Sequence, residues 1–371
     1  MLRRFFILLN ILAVIVLFLS CLAGYINPND FWQLSLFGFG FPVVLVVNFL
    51  FLLGWIIKKD RVGLITLFAI ALSLPFIQNT FAFHFREANK EAGIKLMTWN
   101  VKNFDLYNWS HNRQTRAEMM AFIEHENPDV ICLQEFYTNN QLFHNLEFLR
   151  DTLGYKYAYF PASVASNKLP KSKLQETLWQ GGVLHQEWGV ATFSKYHIAD
   201  KNSLEFDNSF ANNCIYTDLE INGKTLRLFN VHFQSIHLGY DDYAALDSLT
   251  EKQQTRLSSL KNIARKMKRA YTKRAIQAEE VATALAAYTG PKILCGDFND
   301  VPVSYTYKTA RGNMKDAFIE NGSGFGSTYV NPFSIFRIDY VLHGAEIDLN
   351  SYRRPRVQFS DHYPVCVTFD L

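Results

Sequence analysis

The most informative part of the sequence runs from Lys292 to Asp300 and reads Lys-Ile-Leu-Cys-Gly-Asp-Phe-Asn-Asp. Its first half, Lys292–Cys295, is apolar and rich in strand-forming residues, which predicts a β-strand. Asp297 and Asn299 follow where that strand ends. A rigid sheet can aim side chains at its strand ends into one cleft, so both are candidate functional residues. Taken alone, however, an Asp-x-Asn sequence is usually an ordinary turn.

The same pattern, an apolar run closed by a residue that can bind metal or move protons, recurs along the chain. These residues are Asn100, Glu135, His232, Asp339, and the neighbours Asp361 and His362. Each has an ordinary structural explanation by itself, but six such patches in one chain favour a shared site. Carboxylate and amide oxygens suit Mg²⁺ or Mn²⁺, while histidines suit proton transfer and charge stabilisation.

Short apolar strands alternate with amphipathic helices from Gly93 onward. The other predicted strands are Ile94–Trp99, Val130–Gln134, Val190–Phe193, Cys214–Ile221, Thr225–Phe233, Ile338–Leu342 and Val365–Phe369. Arg116–Glu126 has helical spacing, and the stretch from Leu246 to about Tyr288 predicts one or two helices. So many strands favour an α/β sandwich of two sheets over a doubly wound parallel sheet.

These patches resemble the endonuclease/exonuclease/phosphatase superfamily, which includes DNase I-like nucleases, bacterial neutral sphingomyelinases and inositol polyphosphate 5-phosphatases. The resemblance covers about residue 94 to the C-terminus. Its most specific parts are Gly-Asp-Phe-Asn at 296–299, Ile-Asp-Tyr at 338–340 and Ser-Asp-His at 360–362. It implies a four-layered α/β sandwich, with two packed mixed β-sheets flanked by helices, in a catalytic domain at 93–371. It also implies a hydrolase of phosphoester bonds that uses Mg²⁺ or Mn²⁺ and in-line attack of water on phosphorus.

The resemblance implies a metal site as well. Glu135 would be the principal metal ligand, with Asn100 beside it. Asp361 would be a further ligand and would fix the tautomer of His362. Some nucleases of the family carry an acidic residue two positions after the first Asn, where this chain has Lys102. That difference weakens any direct transfer from abasic-site endonucleases.

Catalytic roles are carried over from the resemblance in the same way. Asp297 would orient or deprotonate the attacking water, and Asn299 would hold the phosphate. His362 would stabilise charge on the phosphoryl oxygens, and His232 would donate to the phosphate or the leaving group. Asp339 would support the metal or the catalytic network.

A membrane region is predicted at residues 1–86, because three apolar runs lie there, at about 5–26, 31–57 and 62–83. Each has the roughly 20 residues that a helix needs to cross a bilayer. A cleaved signal peptide would explain the first run and leave the other two unexplained. We therefore expect three transmembrane helices in front of the catalytic domain.

The flanking charges predict the orientation of these helices. Arg3 and Arg4 precede the first run, and Lys58, Lys59 and Arg61 follow the second. Positive charges favour the cytoplasmic side, so three crossings would deliver the catalytic domain to the outside. In a bacterium this is a multi-pass protein of the inner membrane with a periplasmic domain. The third run is the least apolar, and without it the domain would be cytoplasmic.

Composition says less about the substrate. A net charge of +3 is too small to indicate nucleic acid, and no spacing of the five cysteines indicates a zinc site. A basic run between Lys261 and Arg274 suits nucleic acid or anionic lipid headgroups, although a charge run is usually a solvated face. Together with the lipid bilayer as a partner, it favours a lipid headgroup or small phosphoester near the membrane. The alternatives are a surface nuclease acting on DNA or RNA, and a non-catalytic binding module. No feature indicates a protein partner.

Overall fold

The computed structural model describes residues 1–84, 92–139, 142–165, 186–207, 212–236, 253–330 and 335–371. The chain divides into two compact units. The first, here the N-terminal unit, comprises Met1–Thr80, Gln234–Ala282 and Asn299–Ala310, and the second, here the sandwich unit, comprises Phe81–Phe233, Thr283–Phe298 and Arg311–Leu371. The N-terminal unit thus includes two segments from the stretch that the sequence assigned to the catalytic domain.

Six helices fill the first 80 residues. They are α1 (Leu2–Leu22), α2 (Pro28–Phe31), α3 (Gln33–Phe39), α4 (Phe41–Ile57), α5 (Gly63–Leu72) and α6 (Leu74–Thr80). By length and composition, α1 can cross a membrane. The pairs α3–α4 and α5–α6 bend by 63° and 58°, so the described residues offer one span, or up to three if each bent pair counts as one. Pro42 and Pro75 lie in the first turns of α4 and α6, where a missing backbone N–H is tolerated.

Buried polar side chains join α1, α4 and α5. The Asn10 Oδ1 atom accepts hydrogen bonds from Trp55 Nε1 at 3.0 Å and from Thr66 Oγ1 at 2.8 Å. Asn48 Nδ2 donates to the Ala13 carbonyl oxygen at 3.0 Å. Because such groups would otherwise be unsatisfied among apolar helices, these bonds hold the three helices together.

Two mixed sheets form the sandwich unit. The strands are β1 (Ala82–Phe83), β2 (Ile94–Asn100), β3 (Val130–Asn139), β4 (Tyr157–Tyr159), β5 (Val164–Ala165), β6 (Gln186–Ser194), β7 (His197–Glu205), β8 (Asn213–Ile221), β9 (Lys224–His232), β10 (Lys292–Asp297), β11 (Lys315–Asp316), β12 (Ser323–Gly324), β13 (Asp339–His343), β14 (Asp348–Arg353) and β15 (Val365–Asp370). One sheet has the order β14-β15-β2-β3-β6-β4, with β5 also paired to β6, and the other has the order β11-β13-β10-β9-β8-β7. Strands β1 and β12 form a separate ribbon.

The remaining helices within the described residues are α7 (Thr115–Glu126), α8 (Asn145–Glu147), α9 (Gln253–Ala286), α10 (Tyr305–Arg311) and α11 (Ala317–Asn321), with a 3₁₀ turn at Lys102–Asp105 and a π turn at Phe148–Thr152. Of the stretch that predicted one or two helices, the part that the structure describes from Gln253 onward forms the single helix α9. Two mixed sheets flanked by helices confirm the predicted sandwich.

Alternation of side chains along each strand builds the core. In β2, Ile94 and Leu96 face the other sheet and pack with residues of β9, β10 and β13. Met97 and Trp99 point the opposite way and pack with Met119 and its neighbours on α7. Both faces of this central strand are therefore buried, which explains its nearly continuous apolar sequence.

The rows that face the gap between the sheets become polar toward one end of the sandwich. They read Ile94, Leu96, Thr98, Asn100 in β2, Leu226, Leu228, Asn230, His232 in β9, and Ile293, Cys295, Asp297 in β10. Strands β2 and β3 are parallel, as are β9 and β10. Because the carboxyl ends of parallel strands meet at the same edge, the fold gathers the polar residues there.

Candidate active site

The strand register brings Asp297 together with two other predicted residues. It is paired with His232 on the parallel strand β9 and with Asp339 on the antiparallel strand β13. Gly296 has a φ of +134°, and a Cβ atom there would lie 2.0 Å from the Val231 carbonyl oxygen. Only glycine therefore lets β10 approach β9 closely enough for this arrangement.

A β-bulge directs Glu135 toward the same cleft. Simple alternation would place Glu135 on the same face as Leu133, away from the other sheet. The pairing of β3 with β6 shifts between Leu133 and Phe136, and Glu135 has a φ of +49°. The side chain consequently lies beside Asn100, whose Nδ2 atom donates to Glu135 Oε1 at 3.2 Å. Bulges commonly re-aim a side chain in this way.

Asn100 bridges two carboxylates. Its Nδ2 atom also donates to Asp297 Oδ2 at 3.0 Å, while its Oδ1 atom accepts from the Lys102 backbone N–H at 3.0 Å. His232 lies next to both acids, with Nε2 3.8 Å from Glu135 Oε1 and 3.7 Å from Asp297 Oδ2. These side chains thus form one contiguous polar cluster.

His362 completes the cluster through Asp339. Its Nδ1 atom lies 2.9 Å from Asp339 Oδ2, and its Nε2 atom lies 3.8 Å from Asp297 Oδ2. The prediction that Asp361 fixes the tautomer of this histidine is therefore wrong, because Asp339 takes that position. The Asp361 side chain points away from the His362 ring, since neighbouring residues in extended chain face opposite sides.

Asp361 instead pairs with Lys102, at 2.8 Å between Oδ2 and Nζ. The same ammonium group lies 5.0 Å from the centre of the Trp109 ring, which packs against Tyr107 at 4.7 Å between centroids. Trp109 and Tyr107 are 43% and 47% exposed. A cation and an open aromatic pair thus border the cluster on the side of Asp361.

Three further contacts hold the cluster in place, and sequence reasoning missed them. Trp99 Nε1 donates to the His362 carbonyl oxygen at 2.9 Å, and Ser360 Oγ donates to the Asn100 carbonyl oxygen at the end of β2 at 2.8 Å. Thr328 Oγ1 accepts from the Asp339 backbone N–H at 3.0 Å. Ser360 belongs to the Ser-Asp-His motif and was therefore visible in the sequence, whereas no local signal marks Thr328.

Asn299 follows Asp297 by two residues and has a left-handed φ of +53°. It begins the segment assigned to the N-terminal unit, and its phosphate-binding role stays a prediction. Trp109, Trp179 and Trp188 stand in stretches whose sequence predicts loops, where a tryptophan either contacts substrate or simply packs; Trp188 lies in β6 and packs 5.2 Å from the Tyr137 ring. Trp179 lies outside the described residues.

Comparison with known proteins identifies the fold and the reaction class. Residues 97–362 match a family model described as the endonuclease/exonuclease/phosphatase family. The chain belongs to this family. Its members are phosphoesterase hydrolases that depend on a divalent metal, so both the predicted superfamily and the predicted class of enzyme are confirmed. Residues 3–80 match a second model, described as a domain of unknown function.

Two solved structures show the same fold. An endonuclease/exonuclease/phosphatase from Beutenbergia cavernae is 17% identical, with a TM-score of 0.51 over 77% of this chain and 72% of its own. The catalytic domain of human Nocturnin, solved with a bound sulfate, is 16% identical, with a TM-score of 0.51 over 75% and 94%. No curated protein matches the chain.

The electrostatics of the cluster follow from its crowding of acids. Burial, with Asp361 nearby, raises the pKa of Glu135. Burial and Asp339 raise the pKa of Asp297 to about 6, against the opposing effect of His362. Burial disfavours a charged His362, but Asp339 and Asp297 outweigh it and raise the pKa of the imidazole. The cleft therefore holds more negative charge than its own cations neutralise, and a divalent cation would relieve that excess.

Proposed function

We propose that this protein is a membrane-tethered, Mg²⁺- or Mn²⁺-dependent phosphoesterase that hydrolyses a phosphodiester or phosphomonoester close to the bilayer. The observation that carries the proposal is the convergence of Asn100, Glu135, His232, Asp297, Asp339, Asp361 and His362 on one end of the sandwich. The substrate class favoured here is a lipid headgroup or another small phosphoester at the membrane surface.

Glu135 and Asn100, with Asp361 nearby, would hold the metal. Glu135 offers a carboxylate whose side chain is 32% exposed, so an ion can reach it from the cleft. A second group, Asp297, Asp339 and His362, also places its ligand atoms within 4.8 Å of one another. We favour the first set because Asp297, Asp339 and His362 are all buried, whereas Glu135 is open to the cleft. When bound, a hard divalent cation neutralises charge that develops on the phosphoryl oxygens.

The other residues then divide the proton chemistry. Asp297 is buried and positioned by the Asn100 amide, which suits it to orient a water molecule and accept its proton. His362, held by Asp339, presents Nε2 toward Asp297 and would donate to a phosphoryl oxygen. His232 lies on the other side of Asp297 and would donate to the phosphate or the leaving group. Preorganised donors of this kind commonly contribute about 100-fold to 1,000-fold in rate each.

The tether is proposed as three crossings, α1, α3–α4 and α5–α6. Arg3 Nε lies 2.9 Å from Asp60 Oδ2, which places the start of α1 beside the turn after α4. An even number of crossings therefore precedes Gly63, and the last pair, α5–α6, would return the chain to the opposite side. With the basic residues inside, the catalytic domain would lie outside, periplasmic in a bacterial inner membrane.

A membrane tether favours a substrate at the bilayer, because it raises the effective concentration of enzyme there. The patch formed by Lys102, Trp109 and Tyr107 supports a phosphoester with an organic group, since it places a cation and two exposed rings beside the cluster. Nucleic acid is the alternative substrate, because bases also stack on such rings.

The purified full-length protein is tested for hydrolysis of a choline phospholipid, a soluble aryl phosphodiester and plasmid DNA, each with Mg²⁺, with Mn²⁺ or with chelator. We expect Mg²⁺-dependent turnover of the lipid and of the soluble ester. Plasmid nicking without lipid turnover would replace the lipid substrate with nucleic acid. No turnover of any substrate with either metal would contradict the proposed function. Reporters fused at the C-terminus test the topology, and cytoplasmic signal alone would contradict three crossings.

A further inference from the structure

Within the N-terminal unit, α9 contacts the turn between α1 and α3. Asn27 Nδ2 donates to Glu279 Oε1 at 2.7 Å, and Asn29 Nδ2 donates to the Thr272 carbonyl oxygen at 3.3 Å. This turn lies just beyond the end of α1, the helix that is long and apolar enough to cross a membrane. The contact therefore places the middle of α9 at the level where α1 would leave the bilayer.

The face of α9 turned toward this contact also carries its exposed cations. Thr272 and Glu279 are seven residues apart, which is about two helical turns. Lys261, Arg265 and Lys268 precede Thr272 by eleven, seven and four residues, or about three, two and one turns, so they lie on the same face. The cationic stripe, defined as Lys261, Arg265 and Lys268, thus begins beside the contact and extends along α9 for about 16 Å.

The opposite face of α9 is buried. It carries Ile263, Ala270, Arg274, Gln277 and Val281. Arg274 belonged to the basic run seen in the sequence, but it is 1% exposed and its Nε atom lies 3.1 Å from Asp300 Oδ2. Its charge is therefore used inside the N-terminal unit, and the stripe is a separate feature of the exposed face.

The charges of the stripe are not neutralised by any described carboxylate. Lys261, Arg265 and Lys268 are all exposed, and within the described residues none forms an ion pair. Arg265 Nη1 donates to the neutral Asn262 side chain. On the same face, four residues after Thr272, Ile276 is an apolar side chain that is 48% exposed. An exposed row of cations attracts anionic lipid headgroups, and an apolar side chain at its end can enter the interface.

We propose that α9 lies along the membrane surface and that the cationic stripe binds the phosphate groups of anionic phospholipids, with Ile276 reaching the headgroup layer. This inference rests on the proposed membrane tether and is independent of the reaction at the site. The stripe lies far from the predicted spans in sequence, beyond the short loops to which the positive-inside rule applies, so it does not oppose the proposed orientation. It would give the protein a second, salt-sensitive attachment beside its helices.

The test uses the full-length protein in nanodiscs of phosphatidylcholine, with or without phosphatidylglycerol. A single environment-sensitive fluorophore is attached at Ile276→Cys in a Cys21→Ser background, because the other four cysteines are buried. We expect higher emission in the anionic discs, lost at about 1 M NaCl, where the Debye length is about 3 Å. Each cation is worth about a fivefold preference for an anionic surface, so Lys261→Glu/Arg265→Glu/Lys268→Glu, which also adds three repelled carboxylates, should lower the lipid-bound ratio by at least about 100-fold.

A matched triple variant, Arg113→Glu/Lys156→Glu/Lys201→Glu, reverses three exposed cations elsewhere and should behave like the parent. Equal emission in the two kinds of disc, or equal losses in both triple variants, would overturn the proposal. The proposal would also be overturned if the cationic stripe were needed for oligonucleotide binding while the emission were the same with and without phosphatidylglycerol. Turnover of the soluble ester is followed in parallel. If the parent does not turn over this ester, that result counts against the proposed function. The emission result would still decide whether the stripe contacts lipid.

Discussion

Two buried asparagines, Asn10 and Asn100, lie in different regions of this molecule and have different partners. In the N-terminal helices, Asn10 accepts two hydrogen bonds from neutral side chains of α4 and α5. At the end of the sandwich, Asn100 donates to two carboxylates, Glu135 and Asp297. The first network joins neutral partners, whereas the second gathers like charges around one amide.

From this difference we infer a structural role for the first network and a functional role for the second. Neutral donors and acceptors that satisfy one another stabilise a fold without needing anything further. Acids that are buried close to one another destabilise it, because burial first, and neighbouring carboxylates in addition, raise the pKa values of Glu135 and Asp297. Under the proposed function, such an arrangement persists because a cation and a substrate use it. Variants in the two regions should therefore separate activity from stability.

The largest effect is expected for Glu135→Gln. Removing this carboxylate takes away the principal proposed metal ligand, and kcat/KM should fall about 100-fold to 1,000-fold. The melting temperature should stay the same or rise, because repulsion with Asp361 is relieved. Steady-state kinetics and thermal unfolding measure both quantities. Glu124→Gln on the exposed face of α7 is the matched control and should leave both unchanged. A large drop in melting temperature for Glu135→Gln would show that this glutamate is structural.

A smaller loss is expected for Asp339→Asn, about 10-fold to 100-fold in kcat, because His362 keeps its place but loses the carboxylate that orients it. KM and the Mg²⁺ concentration for half-maximal rate should change little. Asp361→Asn should instead raise the Mg²⁺ requirement. Measuring the rate as a function of Mg²⁺ concentration for both variants distinguishes the roles of the two aspartates. A raised Mg²⁺ requirement in Asp339→Asn, with only a lower kcat in Asp361→Asn, would contradict these roles.

In the N-terminal helices, Asn10→Ala should reduce stability and spare catalysis. It leaves Trp55 and Thr66 without their shared acceptor, which should cost about 1–2 kcal/mol of unfolding free energy. Denaturant unfolding in detergent measures this loss, and turnover of the soluble ester should match the parent. Impaired turnover with unchanged unfolding would reverse the comparison between the two regions.

The smallest effect concerns Glu126, which accepts from Lys95 Nζ at 2.7 Å and Arg353 Nη2 at 2.6 Å. Burial opposes its ionisation, but the two cations outweigh burial and lower its pKa. The ion pairs therefore stabilise the protein above the ordinary glutamate pKa, and this stability is lost as pH falls through the lower, folded-state pKa. Glu126→Gln should cost about 1 kcal/mol at neutral pH, since Arg353 is 43% exposed and screened by solvent.

Melting temperatures of the parent and of Glu126→Gln should converge as the pH is lowered through the acid range. A constant difference between them at all pH values would mean that the ion pairs do not contribute. Asp151, an exposed acid paired with Arg150, provides the comparison, and Asp151→Asn should show almost no effect.

Much of the sandwich was predictable because its information is local. Central strands such as β2 and β10 are buried on both faces, so their apolar runs stand out, and the functional residues close those runs. The two longest missed strands, His197–Glu205 and Asp348–Arg353, lie at the edges of their sheets. Edge strands carry polar side chains and give a weak pattern.

The parts of the site that could not be predicted depend on contacts between distant segments. The bulge that turns Glu135 into the cleft arises from its pairing with β6. The partner of His362 proved to be Asp339, 23 residues away, rather than the adjacent Asp361. Likewise, the ion pair between Lys102 and Asp361 joins opposite ends of the sandwich sequence. Tertiary packing decides each of these, and no local propensity encodes it.

The most direct measurement is a titration of metal-free full-length protein with Mn²⁺, followed by electron paramagnetic resonance. If Glu135 and its neighbours form the metal centre, the parent will bind Mn²⁺, Mg²⁺ will compete for the site, and Glu135→Gln will lose most of the binding. Equal binding by the parent and by Glu135→Gln, or no binding by the parent, would contradict the account.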